Sequence, residues 1–130
     1  MRPEQDGPII LPATTPVSTP ISIRARDLQQ RLAAGEAIQL VDVREDEELA
    51  MARLPHPVVH LPLSRSAEWM GTLDVQLERD RPVAVLCHAG VRSWHFACWL
   101  MEQHGYGEVW NVQGGIDAWS VEADPAVPRY

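Results

Sequence analysis

From residue 24 onward, the chain alternates between short apolar runs and longer segments with helical spacing. The apolar runs are IQLVDV at 38–43, VVHL at 58–61, VAVL at 83–86 and VWNV at 109–112, each about as long as one strand. A strand inside a parallel sheet is covered on both faces, so its sequence is apolar almost throughout. The pattern therefore predicts parallel strands.

The segments between these runs predict helices at 26–34, 45–53, 64–77 and 91–104, and a short one from the Gly114–Gly115 turn to Trp119. The 64–77 segment is expected to break near Gly71. Gly105 is placed to end the longest helix, 91–104. On that helix the spacing predicts a core-facing stripe of Trp94, Ala97, Cys98 and Met101. The acidic run at 45–48 is interpreted as the solvated first turn of its helix.

This alternation predicts an α/β fold with a central, mostly parallel sheet of about five strands and helices on both faces. The predicted domain is 21–122. Residues 1–20 contain five prolines, which favours a flexible arm, and residues 123–130 are predicted to be a C-terminal tail. Ligands bind beyond the carboxyl ends of the strands in such sheets, so the residues after Leu86 are the first place to look for a site.

Composition excludes several kinds of function. The chain has 130 residues and no lysine among its 11 basic residues, which excludes Schiff-base chemistry and a phosphate-loop lysine. A net charge of −7 argues against nucleic acid or an anionic membrane as partner. Two cysteines cannot form a four-cysteine zinc site, and no apolar run reaches the roughly 20 residues that span a bilayer. We expect a cytoplasmic protein of one domain, without a metal or cofactor.

The seven residues 87–93 (CHAGVRS) join the apolar run VAVL to the longest predicted helix. The start of a helix favours a thiolate over a thiol, and a glycine turn can direct successive N–H groups inward toward an anion. An arginine adds a planar cation suited to an oxyanion. The candidate site is therefore Cys87 as nucleophile, in an anion-binding loop of His88, Ala89, Gly90, Val91 and Arg92.

Each reactive side chain, including Cys87, also has a simpler interpretation. A cysteine that ends an apolar strand is ordinarily a small core residue, and only the surrounding loop sets Cys87 apart. Cys98, in the middle of a helix, is expected to be a core residue. His88 is a weak candidate for a general base because neighbouring residues in a tight loop point apart. The five histidines lack the spacing of a metal site.

The loop resembles the active-site loop of the rhodanese (thiosulfate sulfurtransferase) family, whose pattern is Cys, two residues, Gly, one residue, Arg, then Ser or Thr. The segment LVDVR at 40–44, followed by EEL at 47–49, resembles the family's Asp-Val-Arg segment. Residues 105–119 (GYGEVWNVQGGIDAW) resemble its C-terminal pattern. The family's usual Gly-His-Ile-Pro-Gly-Ala is replaced here by ARLPHP at 52–57, with one apparent extra residue, which affects loop shape and partner docking rather than the nucleophile.

The resemblance implies a three-layer rhodanese-like domain and a two-step transfer. In the first step the Cys87 thiolate takes the outer sulfur of thiosulfate or of a persulfide donor. In the second, cyanide or a thiol accepts that sulfur. The loop and Arg92 would bind the donor, and the supporting residues are Asp42, Arg44 and Ser93. The implied partners are a small sulfur-containing anion, a thiol acceptor and a protein sulfur donor or acceptor, with no cofactor.

Two other functions stay open. The first is a rhodanese-like domain that binds a protein partner without catalysis, which the retained Cys87, Gly90 and Arg92 argue against. The second is a related phosphatase or arsenate reductase. Those enzymes have five residues between the cysteine and the arginine, whereas this chain has four. The shorter loop suits a single sulfur better than a tetrahedral oxyanion.

Overall fold

The computed structural model describes residues 19–130, so most of the predicted arm at 1–20 lies outside the described residues. These residues form one sheet of five strands in the order β1–β5–β4–β2–β3, and every pairing among them is parallel. The strands are β1 (Ile21–Arg24), β2 (Gln39–Asp42), β3 (Val59–His60), β4 (Val83–Leu86) and β5 (Val109–Gln113). The predicted parallel sheet is confirmed.

In the described part of the chain, six α-helices connect or follow these strands: α1 (Ala25–Ala33), α2 (Asp46–Met51), α3 (Ser66–Trp69), α4 (Leu73–Gln76), α5 (Val91–His104) and α6 (Gly115–Ala118). A turn of 3-10 helix at Leu63–Arg65 precedes α3, and another at Met70–Thr72 separates α3 from α4, where the break near Gly71 was predicted. A π-helical turn, Trp119–Ala123, follows α6.

Strand β4 shows why the apolar runs are continuous. Val83 and Val85 lie in a buried cluster with Phe96 of α5, on one face of the sheet. Ala84 and Leu86 belong to a second cluster, with residues of α1 and α6. Both faces are therefore covered, which confirms the α/β fold with helices on both sides of the sheet.

The predicted core face of α5 is wrong by about one residue. Ala97 is buried as predicted, together with Ser93, Phe96 and Leu100. Trp94, Cys98 and Met101, which were also predicted to face the core, are only partly buried. Large apolar side chains lie all around this helix, so their spacing does not single out one face. The difference matters because the true inward stripe begins with Ser93, beside the candidate nucleophile.

Strand β1 was not predicted as a strand. It lies at the edge of the sheet, where Ile21 is 58% exposed and only Ile23 is partly buried. An edge strand has one neighbour and needs little apolar sequence. The four residues ISIR do alternate between apolar and polar, but the pattern is too short to predict a strand. Its register against β5 comes from main-chain pairing, Ile21 to Trp110 through Arg24 to Gln113.

Within residues 19–130, no helix is both long and apolar enough to cross a membrane. The cytoplasmic location inferred from composition stays a prediction.

Candidate active site

The loop between β4 and α5 lies at the carboxyl edge of the sheet, as the sequence predicts. Gly90 occupies the N-cap of α5 with φ of +99°, a left-handed conformation that favours glycine. A side chain there would put its Cβ 3.1 Å from the amide nitrogen of Gly114. In this conformation the Gly90 N–H donates a hydrogen bond to Cys87 Sγ at 3.0 Å.

Cys87 is 1% exposed, but its sulfur faces hydrogen-bond donors as well as apolar neighbours. The Ser93 hydroxyl lies 3.2 Å from Sγ. Burial raises the pKa of the Cys87 thiol, but hydrogen bonds from the Ser93 side chain and from the amides of Ser93, Gly90 and Ala89 outweigh that effect, so the pKa is lowered overall. A lowered pKa is the property that a sulfur nucleophile needs.

Helix α6 fixes the first residues of the loop. The amides of Ile116 and Asp117 donate to the carbonyls of Cys87 and His88 at 2.9 and 3.1 Å. Gly115 approaches these carbonyls with φ of +61°, and a Cβ on it would lie 2.3 Å from His88 O. The loop is therefore anchored by the start of α6, which uses its unpaired N–H groups for this purpose.

Asn111 of β5 supports the other side of the loop, and the sequence analysis missed it. Its amide nitrogen donates to Gly90 O at 3.1 Å, and its side-chain oxygen accepts from the Ser93 hydroxyl, which shares its one proton between this oxygen and Cys87 Sγ. Asn111 thus links Gly90 to Ser93, two residues that contact Cys87 Sγ. A polar residue in the middle of the buried run VWNV is the sequence feature that could have identified it.

Asp42 and Arg44 form a fully buried ion pair at the end of β2. The Arg44 Nη2 and Nε donate to the Asp42 carboxylate at 2.8 and 3.0 Å. A ring nitrogen of His60 lies 2.7 Å from Arg44 O. Buried charges persist where they are paired and hydrogen-bonded, so the pair defines the chain path from β2 into α2.

Arg92 is held by Glu48, which the sequence places in the EEL segment at 47–49 but does not pair with Arg92. Its Nη1 and Nη2 donate to the two Glu48 oxygens at 2.7 and 2.8 Å. These hydrogen bonds from Arg92 hold the pKa of Glu48 at about 2, so the pair stays charged at neutral pH. The expectation that the acidic run 45–48 is merely solvated is therefore wrong for Glu48. Glu48 lies four residues after Arg44, and nothing near it in the sequence indicates that its partner is Arg92, 44 residues away.

The remaining loop residues lie nearer the surface. Ala89 and Val91 are exposed, and the His88 ring is stacked on Tyr130 with centroids 4.2 Å apart. Within residues 19–130, no three His, Cys, Asp or Glu side chains group closely enough to hold a metal ion. The chemistry that the arrangement supports is that of a thiolate surrounded by amides.

Replacing Ser93 with alanine is expected to raise the pKa of the Cys87 thiol, because the side-chain donor is lost while burial remains. Only the thiolate reacts with iodoacetamide. The midpoint of the alkylation rate against pH should therefore move upward by about one pH unit, which corresponds to the free energy of about one hydrogen bond. Thr72→Ala is the control, since that hydroxyl donates to Trp69 O. An unchanged midpoint in Ser93→Ala would contradict this role of the hydroxyl.

Comparison with known proteins identifies the family of this chain. Residues 24–122 match the rhodanese-like domain. A protein of Arabidopsis thaliana named "Rhodanese-like/PpiC domain-containing protein 12, chloroplastic" is 40% identical over 92 residues, which are 71% of this chain and 30% of that protein. A protein of Allochromatium vinosum named "Sulfurtransferase" is 37% identical over 108 residues, 81% of this chain and 92% of the relative.

A solved structure shares the fold as well. The rhodanese-related protein from Thermoplasma volcanium has a TM-score of 0.63 and 34% identity, over 85% of this chain and 99% of that one. The family match includes the CHAGVRS loop and the two other segments that resemble the family, 40–49 and 105–119. The chain belongs to the rhodanese-like domain family.

Proposed function

We propose that this protein is a sulfurtransferase that carries sulfur as a persulfide on Cys87. The observation that supports this most directly is the position of Cys87 Sγ at the end of β4, with the Gly90 amide at 3.0 Å and the Ser93 hydroxyl at 3.2 Å. These donors stabilise negative charge on sulfur. The relative named "Sulfurtransferase" supports the same activity.

In the first step, the Cys87 thiolate attacks the outer sulfur of thiosulfate. A sulfur–sulfur bond forms to Cys87, the bond between the two sulfurs of thiosulfate breaks, and sulfite leaves with that electron pair. The product is a Cys87 persulfide whose terminal sulfur has the negative charge. Because Cys87 is 1% exposed, the loop must open slightly for the donor to reach Sγ.

In the second step, a nucleophilic acceptor takes the terminal sulfur. With cyanide the products are thiocyanate and the Cys87 thiolate. A thiol acceptor gives a new persulfide and the same thiolate. A protein persulfide fits the first step as donor in the same way as thiosulfate, because each presents one transferable sulfur.

The residues of the loop have different parts in this proposal. The backbone of 88–92 binds the anionic groups, and Arg92 attracts the donor while Glu48 holds its guanidinium in place. Ser93 stabilises the thiolate. Asp42 and Arg44 support the loop from the neighbouring strand through their buried pair.

Intact mass measurement tests the proposal. Incubation with thiosulfate should add the mass of one sulfur atom to the protein, and subsequent cyanide should remove it. A Cys98→Ser variant should behave the same way, which places the sulfur on Cys87. Repeating the measurement with a protein persulfide as second donor would show which donor adds the sulfur more completely. No mass gain with any donor, together with tight binding to a protein partner, would instead favour a recognition domain.

A further inference from the structure

Residues 124–130 return from the end of the π-helical turn to the edge of the active site. Val127 is buried, and its amide donates to Asp124 O at 3.1 Å. Ser120 Oγ donates to Pro128 O at 3.3 Å, and Arg129 pairs with Asp117 at 2.8 Å. Asp117 is also one of the residues whose amide anchors the loop. The predicted tail is thus attached along its length and brings Tyr130 to the site.

The Tyr130 hydroxyl connects the two ion pairs of the site. It accepts a hydrogen bond from Arg44 Nη1 at 3.0 Å and donates one to Glu48 Oε2 at 2.9 Å. Burial raises the pKa of Tyr130, so the phenol is protonated at neutral pH and can donate. Its ring is stacked on His88, with an angle of 12° between the planes. One side chain therefore contacts both ion pairs and the loop.

The contact with Glu48 affects the charge that Arg92 presents. Glu48 accepts two hydrogen bonds from Arg92 and one from Tyr130. The phenol takes up part of the negative charge of the carboxylate, so Glu48 neutralises Arg92 less completely. Arg92 directly precedes Ser93, whose hydroxyl lies 3.2 Å from Cys87 Sγ, so its cation belongs to the helix turn beside the sulfur.

We propose that Tyr130 is a positioning residue, whose hydroxyl holds Glu48 so that Arg92 keeps its charge directed at anions entering the Cys87 loop. This inference builds on the proposed sulfur transfer, since it assigns the recognition of an anionic donor to a side chain outside the loop. Tyr130 acts through Glu48 and Arg92 and does not itself react. Stacking on His88 keeps the ring in place, and the hydroxyl provides the effect.

The experiment compares two alkylating reagents on Cys87, in a Cys98→Ser background. Iodoacetate is an anion and iodoacetamide is neutral, so the ratio of their rates measures how strongly the site attracts negative charge and requires no sulfur transfer. Tyr130→Phe keeps the stacked ring and loses only the hydroxyl. The ratio should fall by at least about threefold, as expected when a hydrogen bond to a charged group is lost.

Tyr106→Phe is the matched control, because Tyr106 is the chain's other tyrosine and donates its hydroxyl to Leu77 O in the core. It should leave the ratio unchanged. An equal ratio in Tyr130→Phe and the parent protein would overturn the proposal, whatever the thiosulfate experiment gives. In the transfer assay, Tyr130→Phe should raise the KM for thiosulfate while kcat stays within about twofold. A fall in kcat with unchanged KM would likewise overturn it.

Discussion

Replacing Cys87 with serine is expected to reduce sulfur transfer from thiosulfate to cyanide by at least about a thousandfold, the scale of losing a nucleophile. A serine hydroxyl stays protonated at neutral pH and cannot store sulfur in a sulfur–sulfur bond. The Gly90 amide and the Ser93 hydroxyl would remain in place around the new oxygen, so the loss reports the sulfur itself. Steady-state formation of thiocyanate is the measurement.

Cys98→Ser provides the control for this experiment. Cys98 is partly buried on α5, and burial raises the pKa of its thiol, with a further increase from Glu102. A thiol with a raised pKa is a poor nucleophile. We expect this variant to keep at least about half of the parent activity. Equal losses in the two variants would contradict the assignment of Cys87 as the only sulfur carrier.

The fold is predictable where the pattern is local and strong. The bounds of β4 and α5 agree with the sequence, because VAVL is buried on both faces and Gly105 ends the helix with φ of +72°. Strand β1 was not predicted because it has no strong local pattern. As an edge strand it forms by main-chain pairing with β5, which does not require a long apolar run. The sequence does not show which face of α5 is buried, because the helix has apolar residues on all sides.

The candidate site divides in the same way. The sequence can suggest Cys87 as nucleophile and Gly90 as its turn because that hypothesis depends on neighbours within a few residues, at the junction of a strand and a helix. Glu48 meets Arg92 across 44 positions, and Tyr130 meets Glu48 across 82. Contacts of this kind depend on how α2 and the C-terminal residues pack, which no periodicity encodes. The sequence therefore suggests a candidate nucleophile but not the distant residues that contact its loop and Arg92.

Gly115→Ala is expected to destabilise the protein by about 3 kcal/mol, the upper range for a side chain forced into packed surroundings. The new Cβ would lie 2.3 Å from His88 O and 2.5 Å from Cys87 O, and both are main-chain atoms that cannot rotate away. A φ of +61° adds strain for a residue with a side chain. Urea unfolding, extrapolated to zero denaturant, measures the loss.

Gly71→Ala separates this effect from that of any glycine replacement. Gly71 lies in the 3-10 turn Met70–Thr72, and no atom would come within 4 Å of an added Cβ. The free energy of unfolding should change by less than about 0.5 kcal/mol. In Gly115→Ala, moving the loop away from the Cβ also weakens the hydrogen bonds from Ile116 and Asp117 to its carbonyls, so sulfur transfer should fall together with stability. Equal stability of the two variants would mean that the start of α6 does not fix the loop.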